Sequence, residues 1–527
     1  MVTYDILIKS GTIIDGTGNP RYQGDIGIQG GRIKDVALVL PKAEAAKTIN
    51  ASGRFVAPGF IDLSSHADAN WSLFLNPQQD YLLTQGVTTI LAGNCGSSLA
   101  PLVSPEAVES LKKWGELAEV NINWTSVGEF LEELARRPLG VNVATLIGHG
   151  TLRRGLTRGA TRRFSPEELA QAMQLVEQGQ KEGAVGFSLG LAYSHEAPAT
   201  HDELTAMARV IARQGGLMKV HLRSESLNLV PAVNEVVQLA RESGARVVIS
   251  HLKAIGRRSW PFFRKALDMI DRARGSGLEL SFDISPYQRT GSFLYQLLPA
   301  WVREGGFDQM FKRIQDEAMH KQVIADLEAL SLHYEKLVVA TSITPNTNGR
   351  TVHELAERAG RSPAEVLLDL LIANRGRVTI FGRALSFRNL TIGLTHSAAM
   401  IASDGSGVFA EYGRSGKLVH PRSTGAFPHF LHRFVREKEL IPWEEGIAKI
   451  THLPAQALGM QARGRLAKGL VADIVVFDPE DIRDRSTYQN PYVHSTGIDA
   501  VIVNGKLAVE SGQLTGVSAG QVLKKSS

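Results

Sequence analysis

The stretch Phe55-Val-Ala-Pro-Gly-Phe-Ile-Asp-Leu-Ser-Ser-His66-Ala-Asp68 decides the fold. It opens as an apolar run, turns at Pro58-Gly59 and closes on polar residues. A buried strand with chemistry at its C-terminal end reads this way. Similar runs recur at intervals long enough for one strand and one helix. Together with 55–66 they predict strands at 86–94, 140–149, 184–190, 216–223, 245–252, 278–287 and 396–403. Helical patterns lie between them. One runs from Ser165-Pro-Glu-Glu168 to Lys181, where Ser165 and Glu168 form a capping box with proline at the first helical position. Eight such units predict an α/β fold, a TIM-like (β/α)8 barrel.

Outside these units the two ends of the chain look β-rich. Tyr4–Gly11, Gly24–Gly31 and Arg54–Val56 are matched near the far end by Gly464–Leu466, Ala472–Asp478 and Ala500–Gly505. Neither end has a core of its own, so the two are expected to pair as one small β-sandwich. The expected division is 1–56 and 456–520 for that sandwich and 57–455 for the barrel. The interval from 288 to about 392, between strands seven and eight, is too long for one helix. It predicts helices at Phe307–Leu330 and Ser362–Asn374, with a lid insertion at about 288–350 over the barrel mouth. The last residues, Val522-Leu-Lys-Lys-Ser-Ser527, are expected to be a loose tail.

Composition narrows the function. A charge of +5, from 58 basic and 53 acidic residues scattered along 527, argues against nucleic-acid binding. No apolar run approaches the ~20 residues needed to span a bilayer, and no signal peptide is evident. Cys95 has no second cysteine to pair with, so a reducing cytoplasm is the expected compartment. The partner implied is a small-molecule substrate, with no membrane or nucleic acid; homo-oligomerisation is left open.

Five residues that can do chemistry follow apolar runs: His66, Cys95, His221, His251 and Asp404. His66 and Cys95 are 29 residues apart, and His221 and His251 are 30 apart. One strand–helix unit is about that long, so each pair is expected on neighbouring strands at similar height. Two imidazoles and a thiolate suit Zn²⁺, whereas Mg²⁺ or Ca²⁺ want oxygen ligands. Three protein ligands with an open fourth position is the arrangement of catalytic zinc. Asp404, which can only accept when ionised, suits the transfer of a proton. His149, just past strand three, is read as holding a loop, and His195 as a candidate for the pocket wall.

These motifs taken together resemble the N-acyl-D-amino-acid deacylases of the amidohydrolase superfamily. The resemblance rests on Pro58-Gly-Phe-Ile-Asp62, Gly93-Asn-Cys95-Gly, Gly148-His-Gly-Thr-Leu-Arg153, Val220-His221-Leu-Arg-Ser-Glu225, Ser250-His251-Leu-Lys253, Ser403-Asp404-Gly405 and His420-Pro-Arg422. It spans essentially the whole chain. It implies that Cys95, His221 and His251 hold one tight zinc, and that His66 belongs to a weaker second position with Asp404, the general base. Lys253 and Arg422 match positions for a substrate carboxylate, which suits an arginine fork. Strand four, Ala184–Gly190, lacks the bridging lysine of the cyclic-amide relatives. Two positions depart from the family pattern. Ser64 stands where the signature has its first histidine, and a serine hydroxyl is a poor zinc ligand, so a single metal is expected. In Asp283-Ile-Ser285-Pro-Tyr287, Ser285 replaces a tyrosine that looks like a substrate contact, and Tyr287 is retained.

The expectation is therefore a zinc-dependent hydrolase of linear amides, most of all of N-acyl-D-amino acids. Two alternatives stand beside it: an amidohydrolase of N-acyl amides or esters without an α-carboxylate, and a metal-free barrel kept for binding or assembly.

Overall fold

The computed structural model describes residues 2–40, 43–111, 120–330, 332–408 and 413–525. All eight barrel strands lie inside the expected intervals. They are Phe60–Asp62, Val87–Ala92, Asn142–Gly148, Gly186–Gly190, Leu217–His221, Arg246–Ile249, Leu280–Ile284 and Ala399–Ile401, in one sheet in chain order. Each laddered neighbour pair is parallel. The strands are almost wholly buried, as a parallel sheet covered by helices must be. Beyond the ends of the first and eighth strands the ring closes through main-chain bonds: His66 N–H donates to Gly405 O at 2.8 Å and Gly407 N–H to His66 O at 2.9 Å.

The opening run of 55–66 is two strands rather than one. Phe55–Pro58 pairs antiparallel with Ile474–Phe477 in the terminal sheet, and only Phe60–Asp62 belongs to the barrel. The break is at Gly59. A side chain there would collide with Thr88, and its N–H turns aside to Asp473 O at 2.8 Å. The chain leaves strand geometry again after Asp62, so Ser64 and His66 do not share a pleat face as a continuous strand would have required.

The terminal sheet has nine strands drawn from both ends of the chain. Its core joins Ile8, Ile26 and Val56 from one end to Ile474 and Ile502 from the other. The segment at Gly464–Leu466 is not a strand, although Leu466 packs into this core. Ala43–Asn50, which has no apolar alternation, pairs parallel with the first strand and went unread for that reason.

The insertion after the seventh barrel strand builds its own antiparallel sheet from Thr290–Phe293, Leu337–Thr341 and Thr379–Gly382. Leu294, Val302, Met310, Val323 and Leu367 give it a separate core. The helix expected at Phe307–Leu330 is broken into Gly306–Gln315 and Glu317–Ala329, because Asp316 stops the first and caps the second through Ala318 and Met319 N–H. Ser165 caps Pro166–Glu182 as its sequence indicated. The tail is docked rather than loose: Leu523 N–H donates to Val143 O at 2.8 Å and Lys525 N–H to Gly183 O at 2.9 Å. Residues 526 and 527 lie outside the described residues. Among those described, no helix is long and apolar enough to cross a membrane.

Candidate metal centre

Strand ends bring the chemical residues together. His221 closes the fifth strand, and Cys95, His251 and Asp404 lie two or three residues past the second, sixth and eighth. Cys95 (φ 53°), His251 (φ 38°) and Asp404 (φ 52°) all adopt left-handed backbone. That costs about 1–3 kcal/mol each for non-glycine residues and persists only where the surroundings enforce it. Three such residues converging on one point mark a site whose geometry was kept against local preference.

One ligand atom from each of Cys95, His221 and His251 lies within 4.8 Å of the other two, and all three residues are buried. Cys95 Sγ is 3.3 Å from His251 Nε2 and 3.9 Å from His66 Nε2. Burial opposes ionisation of the thiol, but the facing imidazoles of His251, His221 and His66 outweigh it and hold Cys95 well below the usual thiol range. Burial likewise disfavours charge on His66, yet Asp404 and Cys95 pull its pKa up to about 10. His251 also reaches about 10, against burial and Lys253, because Asp404, Cys95 and Glu225 face it. The cluster thus draws positive charge to the gap between these atoms. A nitrogen–nitrogen–thiolate set with this appetite fits a borderline-soft divalent cation such as zinc, and the buried Nδ1 of His221, without a hydrogen-bond partner among the described residues, agrees with that fit.

Asp404 stands beside this set. Its Oδ1 is 3.3 Å from His66 Nε2 and its Oδ2 2.8 Å from Arg422 Nη1. Burial raises its pKa, but Arg422, His251 and His66 prevail and keep the carboxylate well below its ordinary range. Glu225, quoted in the sequence motif but given no role there, orients the other side. Its Oε1 is 3.0 Å from His251 Nδ1 and 2.6 Å from Lys253 Nζ. A carboxylate behind an imidazole fixes the ring and raises its donor strength.

His251, Lys253, Ser285, Tyr287, Asp404 and Arg422 line an open cleft of about 460 Å³. Its outer wall adds the apolar Phe263, Ile284, Leu385 and Leu390. Ser285 Oγ donates to Ser403 O at 3.0 Å. Tyr287 OH and Arg422 Nε are buried without a hydrogen-bond partner among the described residues. His195 is not part of this lining; its carbonyl accepts from Arg153 Nε. His149 belongs to a separate buried network, with Nδ1 2.9 Å from Glu196 and Nε2 2.8 Å from Glu203.

Ser64 shares no hydrogen bond with His66 or Cys95. Its hydroxyl is 3.0 Å from Asp283 and 2.6 Å from Lys219 Nζ, all three residues being fully buried. Sequence reading passed over Lys219. Its one signal was a lysine inside an otherwise apolar run, Leu217-Met-Lys-Val-His221.

The profile of the amidohydrolase family matches residues 47–509. The chain belongs to that family. Within it, the chain is similar to two enzymes of Alcaligenes xylosoxydans xylosoxydans. It is 31% identical to D-aminoacylase, with 99% of this chain and 98% of that one covered. It is 34% identical to N-acyl-D-glutamate deacylase, with 95% and 93% covered. Among solved structures it resembles the N-acyl-D-glutamate deacylase of Bordetella bronchiseptica, complexed with zinc and a phosphonate inhibitor. The TM-score is 0.85 at 31% identity, over 99% of this chain and 100% of that one. This amidohydrolase is a hydrolase of non-peptide carbon–nitrogen bonds, of the D-aminoacylase type.

Proposed function

We propose that the protein deacylates N-acyl-D-amino acids with one zinc ion held by Cys95, His221 and His251. The observation that carries the substrate is the pair of unpartnered buried donors, Tyr287 OH and Arg422 Nε, on the wall of the cleft that begins at His251 and Asp404. Buried donors left without partners are costly, typically 1–3 kcal/mol each, and a ligand acceptor removes that cost. Hydroxyl and guanidinium donors, with the Lys253 ammonium nearby, suit a carboxylate. An N-acyl amino acid supplies that carboxylate next to its amide, the D configuration being the one named for the relatives.

A bound zinc would supply Lewis acidity toward the carbonyl oxygen and a more acidic water. The chain's own residues do the rest. Asp404, aimed by His66 and Arg422, accepts a proton from water and passes it to the departing nitrogen. Glu225 holds the His251 ring, and Tyr287, Arg422 and Lys253 orient the substrate so that its amide lies toward Asp404. The products are a carboxylic acid and a D-amino acid. The test is a screen of N-acetyl-D- and N-acetyl-L-amino acids against the zinc-loaded protein. Turnover confined to D substrates with a free carboxylate is expected; equal turnover of matched amides without the carboxylate overturns the assignment.

A further inference from the structure

Position 64 is where the family signature carries an imidazole, and here a buried ammonium meets a serine instead. The three donors of Lys219 Nζ are all engaged: Leu63 O at 2.6 Å, Ser64 Oγ at 2.6 Å and Asp283 Oδ2 at 2.8 Å. Asp283 Oδ1 also accepts the main-chain N–H of His251 at 2.7 Å. Lys219 and His221 are two residues apart on one strand, so their side chains share a face about 6–7 Å apart along it. The ammonium therefore lies in the layer of the barrel next to the Cys95–His221–His251 set.

We propose that Lys219 is a built-in cation that takes the place of a second metal ion, so that the centre accepts one ion only. This rests on the reading that Cys95, His221 and His251 hold a metal. A second ion beside His66 and Asp404 would find no good ligand at Ser64, whose hydroxyl accepts from Lys219 and donates to Asp283. It also approaches a fixed like charge in a buried space, where repulsion is poorly screened. Neither Asp283, neutralised by Lys219, nor Asp404, paired with Arg422, is free to draw it in. The ammonium also gives the scaffold what a second ion would give. It ties the Ser64 turn to the fifth and seventh strands and, through Asp283, holds the His251 main chain in its left-handed conformation.

The experiment counts metal on the full-length protein, stripped by chelator and titrated with Zn²⁺, and with Co²⁺ so that the thiolate band reports the Cys95 ion. Native protein is expected to take one ion per chain and no second at tenfold excess. Lys219→Met leaves Asp283 uncompensated, and Lys219→Met with Ser64→His also fills the vacated space and supplies an imidazole. At least one of these, whichever folds, is expected to take two ions, the second without the thiolate band. Ser64→His alone is expected to stay at one. Two ions on native protein, or one ion on folded Lys219 variants, overturns the proposal. No ion on native protein overturns it together with the metal reading itself, and the two failures differ in the count.

Discussion

Two buried histidine clusters lie on neighbouring parts of the barrel mouth, built from the same residue types with opposite outcomes. Around His149 every charge is answered. Glu196 and Glu203 accept from its two nitrogens, Arg153 binds Glu203, and Gly190 N–H donates to Glu196 at 2.7 Å. Around His251 and His221 the groups face a shared gap, His221 Nδ1 has no hydrogen-bond partner among the described residues, and Tyr287 OH and Arg422 Nε wait on the adjoining wall. A closed network stabilises, while an open one binds. The two are joined mechanically, since Glu196 packs so closely on Gly96 that no side chain fits there, directly behind Cys95.

If this contrast is right, substitutions should divide cleanly. Cys95→Ser or His221→Ala is expected to remove the tight ion and lower turnover by at least ~10³-fold, since metal catalysis is worth several kcal/mol. Parallel metal analysis and kcat/KM check this; full activity without metal would contradict the centre.

Asp404→Asn keeps the shape but removes the basicity. Turnover is expected to fall by roughly 10²–10⁴-fold, the scale of general-base catalysis, with zinc content unchanged. A variant that turns over normally would move the base elsewhere.

Arg422→Ala should cost one charged hydrogen bond to the substrate, about 1.5–3 kcal/mol, or roughly 10- to 150-fold in kcat/KM. The loss should be clearly larger on substrates that carry a carboxylate than on matched neutral amides, which lose only the contact that aims Asp404. Equal losses on matched neutral amides would assign Arg422 to orienting Asp404 alone.

His149→Gln should change turnover least and stability most. Burial disfavours the imidazolium, but Glu196 and Glu203 prevail and raise the His149 pKa above its ordinary value. A group raised on folding contributes stability that is fully present below its unfolded pKa, about 6.5. That contribution is lost as pH rises through the folded value. Breaking such a buried pair costs about 3–5 kcal/mol, so the melting temperature of native protein should exceed that of the variant most at low pH. The gap should narrow as pH rises. A gap independent of pH would mean that His149 is held neutral. Zinc content should not change, which separates this cluster from the other.

The candidate site was legible because its signals are local. Cys95, His221, His251 and Asp404 each end an apolar run, and the His66–Cys95 and His221–His251 spacings each match one strand–helix unit, so strand ends bring them together. Tyr287 and Arg422 were reached through motif resemblance, and the structure adds that their donors are buried and unpartnered. His195 is not among the residues that line the cleft, and its carbonyl accepts from Arg153 Nε. Nothing in the local pattern around it records that contact.

The sequence by itself determined the eight-strand barrel, the joining of the two chain ends and the strand-end residues. Each is written in short-range hydrophobic periodicity and turn chemistry. Only the tertiary structure decided the break at Gly59, the docking of the tail and the partners of Ser64. Lys219 and Ser64 are 155 residues apart in the chain, and Ser64 and Asp283 are 219 apart. A buried lysine in an apolar strand declares that it needs partners, because an uncompensated charge cannot stay in the core. Which residues answer it depends on how the strands close into a ring, and that closure is a property of the whole barrel.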